Sequence, residues 1–301
     1  MGGRASGVPA FDRSAMTASQ PALVLTLSCP DRPGIVHAVS GVLFRHGGNI
    51  LESAQFSDPR DGRFFMRVAA VADASFDGAA FEAEFARVAG EFGMAFEIAD
   101  PRKPARVLLM VSRFGHCLND LLFRQATGNL AIEIPAIVSN HRDFEGLAAI
   151  YGIPFHHLPV TPATKAEQEA RLLDIVENEG VSLIVLARYM QVLSDDLCRS
   201  LSGRAINIHH SFLPSFKGAK PYHQAYERGV KLIGATAHYV TAALDEGPII
   251  EQDVARAEHS LAPDDLVGIG RDIEAVVLAR AIRLHVERRV MLAGRRTVIF
   301  R

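Results

Sequence analysis

The pattern of hydrophobic and polar positions changes once along this chain. Before residue 100, short apolar runs alternate with two stretches whose apolar residues recur at helical spacing, and Pro-Gly, Gly-Gly and Asp-Gly dipeptides separate them. The order of these runs predicts a ferredoxin-like βαββαβ unit. Its strands are predicted over residues 23–28, 49–56, 63–71 and 95–98, and its helices over residues 35–46 and 76–92.

A different alternation begins at residue 105. Short, continuously apolar runs, which are typical of strands buried on both faces, alternate with helical patterns. This alternation predicts right-handed βαβ units, and therefore a Rossmann-like α/β domain with a mostly parallel sheet that binds ligands at the carboxyl ends of its strands. Strands are predicted over residues 106–112, 131–139, 183–187, 205–209, 231–240 and 249–254, and helices over residues 119–127, 165–179 and 263–288.

Two prolines and two basic residues at positions 101–104 separate the two patterns. Such a segment pairs into neither sheet, so we expect a linker there between a small module over residues 21–100 and a larger domain over residues 105–301. Residues 1–20 are rich in Gly, Ser and Ala and lack the continuous apolar core of a signal peptide. We expect a disordered tail over these residues, within which Met16 is an alternative start of translation.

Composition narrows the classes of partner. The 301 residues are 49% hydrophobic and 22% charged, which is typical of a globular protein with a sizeable core. A net charge of -2 and a pI near 6.6 give no basic surface of the kind that binds nucleic acid. No apolar run approaches the roughly 20 residues of a membrane span. Cys29, Cys117 and Cys198 form no Cys-x-x-Cys pair, so we expect reduced thiols in a cytoplasmic protein without disulfides or structural zinc.

Candidate catalytic residues stand at the end of the strand predicted over residues 205–209. Asn207 and His209 are two positions apart, so on a strand both side chains leave the same face. An amide can donate to a developing oxyanion, and an imidazole can polarise a carbonyl or move a proton near pH 7. A carboxylate such as Asp245 can either tune the imidazole or take a proton from water, and the sequence leaves both roles open. Together these groups suit attack on a small carbonyl.

Missing motifs exclude several other chemistries. The chain has no Gly-x-Ser-x-Gly motif, so water or a substrate amine is the expected nucleophile. It has neither a Gly-x-Gly-x-x-Gly after the 106–112 strand nor a Walker loop, so dinucleotide and nucleoside triphosphate binding are unsupported. The pairs His156-His157 and His209-His210 are adjacent on strands and would point to opposite faces, so neither chelates one ion unaided and we expect no metal. The Arg113-Phe114-Gly115-His116-Cys117 turn either lines a site or only connects a strand to a helix.

Two motifs mark the small module. Asp31-Arg32-Pro33-Gly34-Ile35-Val36 precedes a predicted helix, and Gly47-Gly48-Asn49-Ile50 precedes a predicted strand. Together they resemble the ACT family of regulatory domains, which implies an amino-acid effector, with glycine and methionine as candidates, and a homodimer or homotetramer. From the residues alone, Pro33-Gly34 could instead only turn the chain. The resemblance implies effector contacts at Asp31, Arg32, Pro33, Gly34, Ile35, Asn49 and Ile50.

The larger domain carries three linked motifs. An Asn-x-His strand is followed by Leu213-Pro214-Ser215-Phe216-Lys217-Gly218 and later by Asp245-Glu246-Gly247-Pro248-Ile249-Ile250. This combination resembles the folate-dependent formyltransferase family. It implies that Asn207, His209 and Asp245 are catalytic, that 10-formyltetrahydrofolate is the substrate, and that no cofactor is tightly bound. The implied folate-binding residues are Arg188, Met190, Gln191, Val192 and Leu193 on one wall and Thr241 and Leu244 on the other, with His116 also assigned to the substrate.

One departure from the transferases bears on the activity. Glycinamide ribonucleotide formyltransferases carry a Gly-rich phosphate loop after their first strand, where this chain has the 113–117 turn. With an ACT-like module in front, the chain is similar to the hydrolytic members of the family. That similarity implies hydrolysis of 10-formyltetrahydrofolate to tetrahydrofolate and formate, in one-carbon metabolism and as a formate supply for purine biosynthesis. Formyl transfer to a small amine, or a non-catalytic folate and amino-acid sensor, are the alternatives.

Overall fold

The computed structural model of the chain describes residues 21–72, 76–214 and 221–301. The chain divides into two compact units, Met1–Arg102 and Lys103–Arg301. The tail expected over residues 1–20 and the last four residues of the Leu213–Gly218 motif lie outside the described residues. Within the described ranges, no helix is both long enough and apolar enough to cross a membrane.

The first unit contains a four-stranded antiparallel sheet and two helices. Its elements are β1 (Leu23–Pro30), α1 (Ile35–Arg45), β2 (Gly48–Asp58), β3 (Arg63–Ala72), α2 (Gly78–Phe92) and β4 (Ala95–Ala99). The strands lie in the order β2-β3-β1-β4. This arrangement confirms the predicted βαββαβ unit.

Apolar residues at helical spacing explain how the first unit closes. Ile35, Val39 and Val42 recur on α1, Phe81 and Phe85 recur on α2, and all five side chains are buried. They pack with the apolar side chains of β1, β3 and β4 in one core cluster. Burial of these stripes against the sheet provides most of the driving force for helix formation.

The second unit is built around an eight-stranded sheet. Its strands are β5 (Ala105–Val111), β6 (Ile132–Glu133), β7 (Ile137–Ser139), β8 (Phe155–His157), β9 (Leu183–Leu186), β10 (Ala205–His209), β11 (Leu232–Tyr239) and β12 (Ile249–Arg256). The helices are α3 (His116–Ala126), α4 (Glu145–Ile150), α5 (Lys165–Asn178), α6 (Asp195–Ser200), α7 (Pro221–Glu227) and α8 (Pro263–Val286). A hairpin of β13 (Val290–Ala293) and β14 (Arg296–Ile299) follows.

The sheet has the order β12-β11-β10-β9-β5-β7-β8, with β6 paired beside β5. The strands β8, β7, β5, β9 and β10 are parallel, and β11 and β12 run antiparallel at one edge. Alternate residues of β5 enter two different core clusters, so this strand is buried on both faces as its apolar run predicts. The predicted mostly parallel α/β domain is confirmed. The carboxyl ends of β5, β9 and β10 consequently meet at one edge of the sheet.

The structure differs from the predicted elements in two respects. The strand predicted over residues 131–139 consists of two short strands, β6 and β7, on either side of Pro135, whose missing N–H group cannot take part in a ladder. The short elements α4, α6, α7, β8 and the terminal hairpin were not predicted. Each helix has at most seven residues, which is less than the window over which helical periodicity becomes visible.

Helix α8 carries a histidine, His285, that we expect to make stability depend on pH. The Tyr239 hydroxyl lies 2.7 Å from Nδ1 of His285. Burial and the nearby charge of Arg288 lower the pKa of His285 to about 4. In the unfolded chain this imidazole binds a proton below about pH 6.5, whereas in the folded chain it stays neutral. The free energy of unfolding therefore falls as pH decreases from 6.5 towards 4, with a contribution of about 2 kcal/mol between pH 8 and pH 5.

Denaturant unfolding of the wild type and of His285→Gln at pH 8 and pH 5 measures this contribution. Glutamine accepts a hydrogen bond from Tyr239 but does not titrate, so the variant is expected to lose less stability at pH 5 than the wild type. An equal loss in both proteins would assign the pH dependence to other groups.

Candidate active site

The candidate catalytic residues converge because a loop folds back onto the sheet. Asn207 and His209 lie at the carboxyl end of β10, opposite β11, and Asp245 lies on the loop between β11 and β12. A Cβ atom on Gly247 would come within 1.7 Å of the Tyr239 carbonyl oxygen. Only glycine permits this close approach, which returns the loop to β11 and brings Asp245 to the end of β10.

The buried imidazole of His209 faces the carboxylate of Asp245. Nδ1 of His209 lies 3.4 Å from Oδ1 of Asp245. The neighbouring imidazoles of His209 and His238 hold the pKa of Asp245 well below its usual range, so the carboxylate is ionised at neutral pH. The other ring nitrogen of His209, Nε2, is buried and has no hydrogen-bond partner among the described residues. Nε2 is therefore the ring atom left for a ligand.

His238 is a third member of this group that the sequence analysis missed. It pairs directly with Asn207 across β10 and β11, and its Nε2 lies 3.3 Å from Nδ2 of Asn207 and 3.7 Å from Oδ1 of Asp245. Its Nδ1 lies 2.9 Å from the carbonyl oxygen of Tyr239, to which it donates. In the neutral imidazole Nε2 is then an acceptor, which orients the amide NH2 of Asn207 and leaves its second hydrogen for a ligand.

These catalytic candidates line a cavity of about 270 Å³. The size is suitable for part of a small-molecule ligand. The sequence-predicted residues that the structure brings to this cavity are Asn207, His209, Asp245, Arg188, Met190, Gln191, Val192, Leu193, Thr241 and Leu244. His116 is not among the residues that line it.

Two residues of the cavity have an unusual backbone. Arg188 has φ 66° and Asp245 has φ 56°, which lie in the left-handed region that favours glycine. Arg288 is the third such non-glycine residue in the described part of the chain. A non-glycine residue in this conformation costs about 1–3 kcal/mol and persists where surrounding structure or function requires its side chain. Two of the three lie in the candidate site.

A buried polar cluster lies beside the cavity at the end of β5. Glu274 on α8 is 1% exposed and accepts hydrogen bonds from Nε2 of His116 at 2.8 Å and from the Tyr222 hydroxyl at 2.8 Å. Nε of Arg188 lies 3.4 Å from the same carboxylate. We refer to His116, Arg188, Tyr222 and Glu274 as the Glu274 cluster. The sequence analysis missed Glu274 and Tyr222, because an acid within a helix rich in charged residues is typical of a solvated face.

His210 lies between the catalytic residues and the Glu274 cluster. Its ring centroid is 5.1 Å from that of His209, so the expectation that these adjacent side chains point to opposite faces is wrong at this position. The strand ends at His209, and the chain beyond it no longer follows the alternation of a strand. Burial and the charge of Arg188 lower the pKa of His210 to about 4, so its imidazole is neutral at physiological pH.

Buried side chains hold the segment that follows β10. The hydroxyl of Thr236 donates to the Ser211 carbonyl oxygen at 2.9 Å and accepts from the Leu213 N–H at 3.0 Å. The amide of Gln252 donates to the same hydroxyl at 2.9 Å. The positions of His209 and His210 therefore depend on side chains from both antiparallel edge strands.

Comparison with known proteins places this chain in a family. The ACT domain model matches residues 23–79, and the Formyl transferase model matches residues 105–282. A formyltetrahydrofolate deformylase from Corynebacterium sp. (strain P-1) is 53% identical over 92% of this chain and 98% of its own length. The crystal structure of formyltetrahydrofolate deformylase from Burkholderia mallei has a TM-score of 0.90 at 54% identity, over 93% of this chain and 99% of that one. The chain belongs to the formyltetrahydrofolate deformylase family.

Transferases match a smaller part of the chain than members of the deformylase family do. The crystal structure of glycinamide ribonucleotide transformylase 1 from Symbiobacterium toebii has a TM-score of 0.61 at 32% identity, over 66% of this chain and 95% of that one. The 66% of this chain that the transformylase covers is about the length of the second unit. The ACT unit thus accompanies the formyltransferase fold in the deformylase relatives.

One group of side chains in this deformylase-family member has ligand types that could bind a metal ion. Ligand atoms of His116, Cys117 and Glu274 lie within 4.8 Å of one another. Burial and the charge of Glu274 raise the pKa of the Cys117 thiol, and the guanidinium of Arg188 already lies beside the carboxylate. A neutral thiol and a neighbouring cation both disfavour a divalent ion. These residues therefore fit a hydrogen-bonded cluster better than a metal centre.

Five of the seven predicted effector residues lie at the start of α1, and the other two, Asn49 and Ile50, lie on β2. Gly34 directly precedes the helix and has φ 97°, a left-handed conformation that favours glycine. Arg32 donates to the Glu91 carbonyl oxygen and stacks on the Phe92 ring at 4.1 Å. The side chain of Ile35 is buried in the core, so only its backbone is accessible to a ligand. Asp31, Arg32 and Pro33 are exposed, as is Asn49 on β2, whereas Ile50 is half-buried.

Proposed function

We propose that the chain hydrolyses 10-formyltetrahydrofolate to tetrahydrofolate and formate, with water as the nucleophile. The observation that carries this proposal is the convergence of Asn207, His209 and Asp245 on one cavity whose walls are the 188–193 turn and the 240–245 loop. Full-length similarity to members of the deformylase family supports the choice of substrate. The reaction neither oxidises nor reduces its substrate, so it needs no redox cofactor.

Two donors would stabilise the oxyanion that forms on the formyl oxygen. The amide of Asn207 has one hydrogen directed to His238 and offers the other to the substrate. His209 donates from Nε2, while Nδ1 faces the ionised Asp245, which fixes the orientation of the ring. Donors that are fixed in a buried site before the reaction need little reorganisation when the charge develops.

We assign the proton of the attacking water to Asp245. As the water oxygen bonds to the formyl carbon, its proton passes to the carboxylate, and then to N10 of the folate as the carbon–nitrogen bond breaks. Oδ1 of Asp245 faces the two histidines, so Oδ2 is the oxygen assigned to the water. Asp245 thereby has both of the roles considered in the sequence analysis, one for each oxygen.

Release of formate in the absence of any amine acceptor tests this function. Purified full-length protein is supplied with 10-formyltetrahydrofolate, and formate and tetrahydrofolate are quantified over time. We expect the two products in equal amounts and at a rate proportional to enzyme concentration. Tetrahydrofolate without formate would support a transferase instead, and tight folate binding without turnover would support a sensor.

We further propose that an amino acid, glycine or methionine, regulates this hydrolysis through the first unit. The exposed residues around Gly34 and the match to the ACT domain model support an effector site there. Repeating the formate assay with each amino acid shows which one changes the rate, and in which direction. A rate that neither amino acid alters would contradict a regulatory role for the unit.

The cellular setting is also proposed. We place the protein in the cytoplasm, where its three buried cysteines would remain reduced and its formate would supply purine biosynthesis. We propose a homodimer or homotetramer, because β2 is an edge strand that exposes Leu51 and Phe56. Light scattering of the purified protein determines the number of subunits.

A further inference from the structure

The Glu274 cluster lies next to the catalytic residues but largely outside their cavity. Arg188 is the only one of its four members among the described residues that line the cavity. His210, which does not belong to the cluster, also lines the cavity. The ring of His210 lies 5.1 Å from that of His209 on one side and 6.4 Å from that of Tyr222 on the other. The cluster therefore begins directly behind His210.

Aromatic rings pack directly against the backbone of two glycines around the cluster. A Cβ atom on Gly270 would come within 2.1 Å of the Tyr222 ring, and a Cβ atom on Gly115 would come within 2.3 Å of the Phe144 ring. Glycines between a strand and a helix often let the backbone approach a bound phosphate. Here Gly115, between β5 and α3, admits Phe144 instead, and Gly270, within α8, admits Tyr222, so the space beside the end of β5 is filled by the protein itself.

A charged cluster of this kind is not an efficient way to stabilise a fold. Burial of a carboxylate and a guanidinium carries a large desolvation cost, and apolar residues of similar volume are often at least as stabilising. Both oxygens of Glu274 are nonetheless occupied by His116 and Tyr222, which fixes the four side chains in one arrangement. The fixed arrangement of these charged side chains beside the catalytic residues therefore indicates a role in function rather than in stability.

We propose that the Glu274 cluster determines the nucleophile, because it occupies the space through which an amine acceptor would reach the formyl carbon. The 188–193 turn and the 240–245 loop are the walls assigned to folate, so a second substrate would have to enter past His210. Water is small enough to reach the carbon without that space. This inference rests on the proposed hydrolysis and names the residues that separate it from formyl transfer.

The chemistry at the carbonyl does not by itself distinguish the two reactions. With water, a carbon–oxygen bond forms, the carbon–N10 bond breaks, and the proton of the water passes to N10. With an amine, a carbon–nitrogen bond forms, the same bond breaks, and a proton of the amine passes to N10. Asn207 and His209 stabilise the same oxyanion in both cases, so access to the carbon decides the product.

Arg188 connects the cluster to the cavity. It lines the cavity, and its Nε lies 3.4 Å from the carboxylate of Glu274. The guanidinium is therefore held in place by the cluster, and the shape of the cavity on this side depends on the cluster's arrangement.

The matched variants Tyr222→Phe and Tyr222→Ala test this proposal. Phenylalanine keeps the ring against Gly270 and loses only the hydrogen bond to Glu274, whereas alanine opens the space beside His210. Each full-length protein is supplied with substrate carrying a ¹³C-formyl group and with increasing glycinamide or hydroxylamine. The label is then quantified in formate and in the formylated amine by mass spectrometry.

We expect the wild type and Tyr222→Phe to place all of the label in formate. Tyr222→Ala is expected to form the formylated amine in a saturable manner, at a rate at least about tenfold above that of Tyr222→Phe, which is the smallest discrimination that removal of one group usually produces. Circular dichroism and thermal unfolding verify that the variants are folded. Glu274→Gln and Glu274→Ala form a second matched pair if Tyr222→Ala does not fold.

Two results would overturn the proposal. In one, the wild type already transfers the formyl group to glycinamide. In the other, a folded alanine variant releases only formate at every concentration of both amines. Neither result contradicts the proposed hydrolysis. That proposal would be contradicted only by a wild type that releases no formate in the absence of an acceptor.

Discussion

Replacement of Asn207 by alanine is expected to lower kcat for formate release by about 10²–10³-fold, with KM changed by less than about threefold. The amide is one of two donors assigned to the oxyanion, and His238 orients it from across the sheet. An interaction that strengthens mainly in the transition state affects kcat and leaves substrate binding largely intact. Steady-state kinetics of the purified variant measures both constants.

Asn129→Ala is a suitable control for this experiment. Asn129 is exposed, and its amide donates only to the nearby Thr127 hydroxyl among the described residues. This variant is expected to match the wild type in both constants. Near-normal turnover of Asn207→Ala, with Asn129→Ala also normal, would remove Asn207 from the catalytic residues.

Replacement of Asp245 by asparagine is expected to reduce kcat by about 10³–10⁴-fold. The amide has the size of the carboxylate but carries no charge, so it neither holds Nδ1 of His209 as strongly nor accepts a proton from water. Asp196→Asn, which alters an exposed carboxylate on α6, is the matched control and should be fully active. Activity of Asp245→Asn within about tenfold of the wild type would contradict both roles of this residue.

The pH profile provides a separate check on Asp245. The neighbouring imidazoles of His209 and His238 hold the pKa of Asp245 well below the usual range, so the carboxylate remains ionised as pH falls from 8 to 5. We therefore expect no decrease of wild-type kcat in this range from protonation of Asp245. An acidic limb that belongs to this carboxylate would mean that its hydrogen bonds are broken when the substrate is bound.

The sequence predicted the parts of the site that local rules control. Asn207 and His209 share a face because they are two positions apart on a strand, and this follows from strand geometry alone. Asp245 carries no such local signal, and its assignment came from resemblance to a known motif. It reaches the end of β10 only because Gly247 lets the loop pack on the Tyr239 carbonyl group.

The residues that the sequence analysis missed depend on contacts between distant elements. His238 becomes a partner of Asn207 through the register of β10 and β11, and that register is not visible in either strand alone. Glu274 lies on α8 between charged and apolar neighbours, and its burial depends on Tyr222 from α7 and His116 from α3. The same limit explains why His116 was assigned to the substrate cavity when it contacts the cluster beside it.

The left-handed backbone of Arg188 and Asp245 has a consequence for directed evolution. Glycine at position 245 would relieve an unfavourable conformation, whereas glycine at position 188 would also leave the buried carboxylate of Glu274 without its guanidinium partner. A library selected for heat resistance alone would therefore enrich glycine at position 245, and its catalytic rate would decline, while position 188 would keep its arginine. Selection for thermal tolerance in this fold has to be coupled to a measurement of turnover.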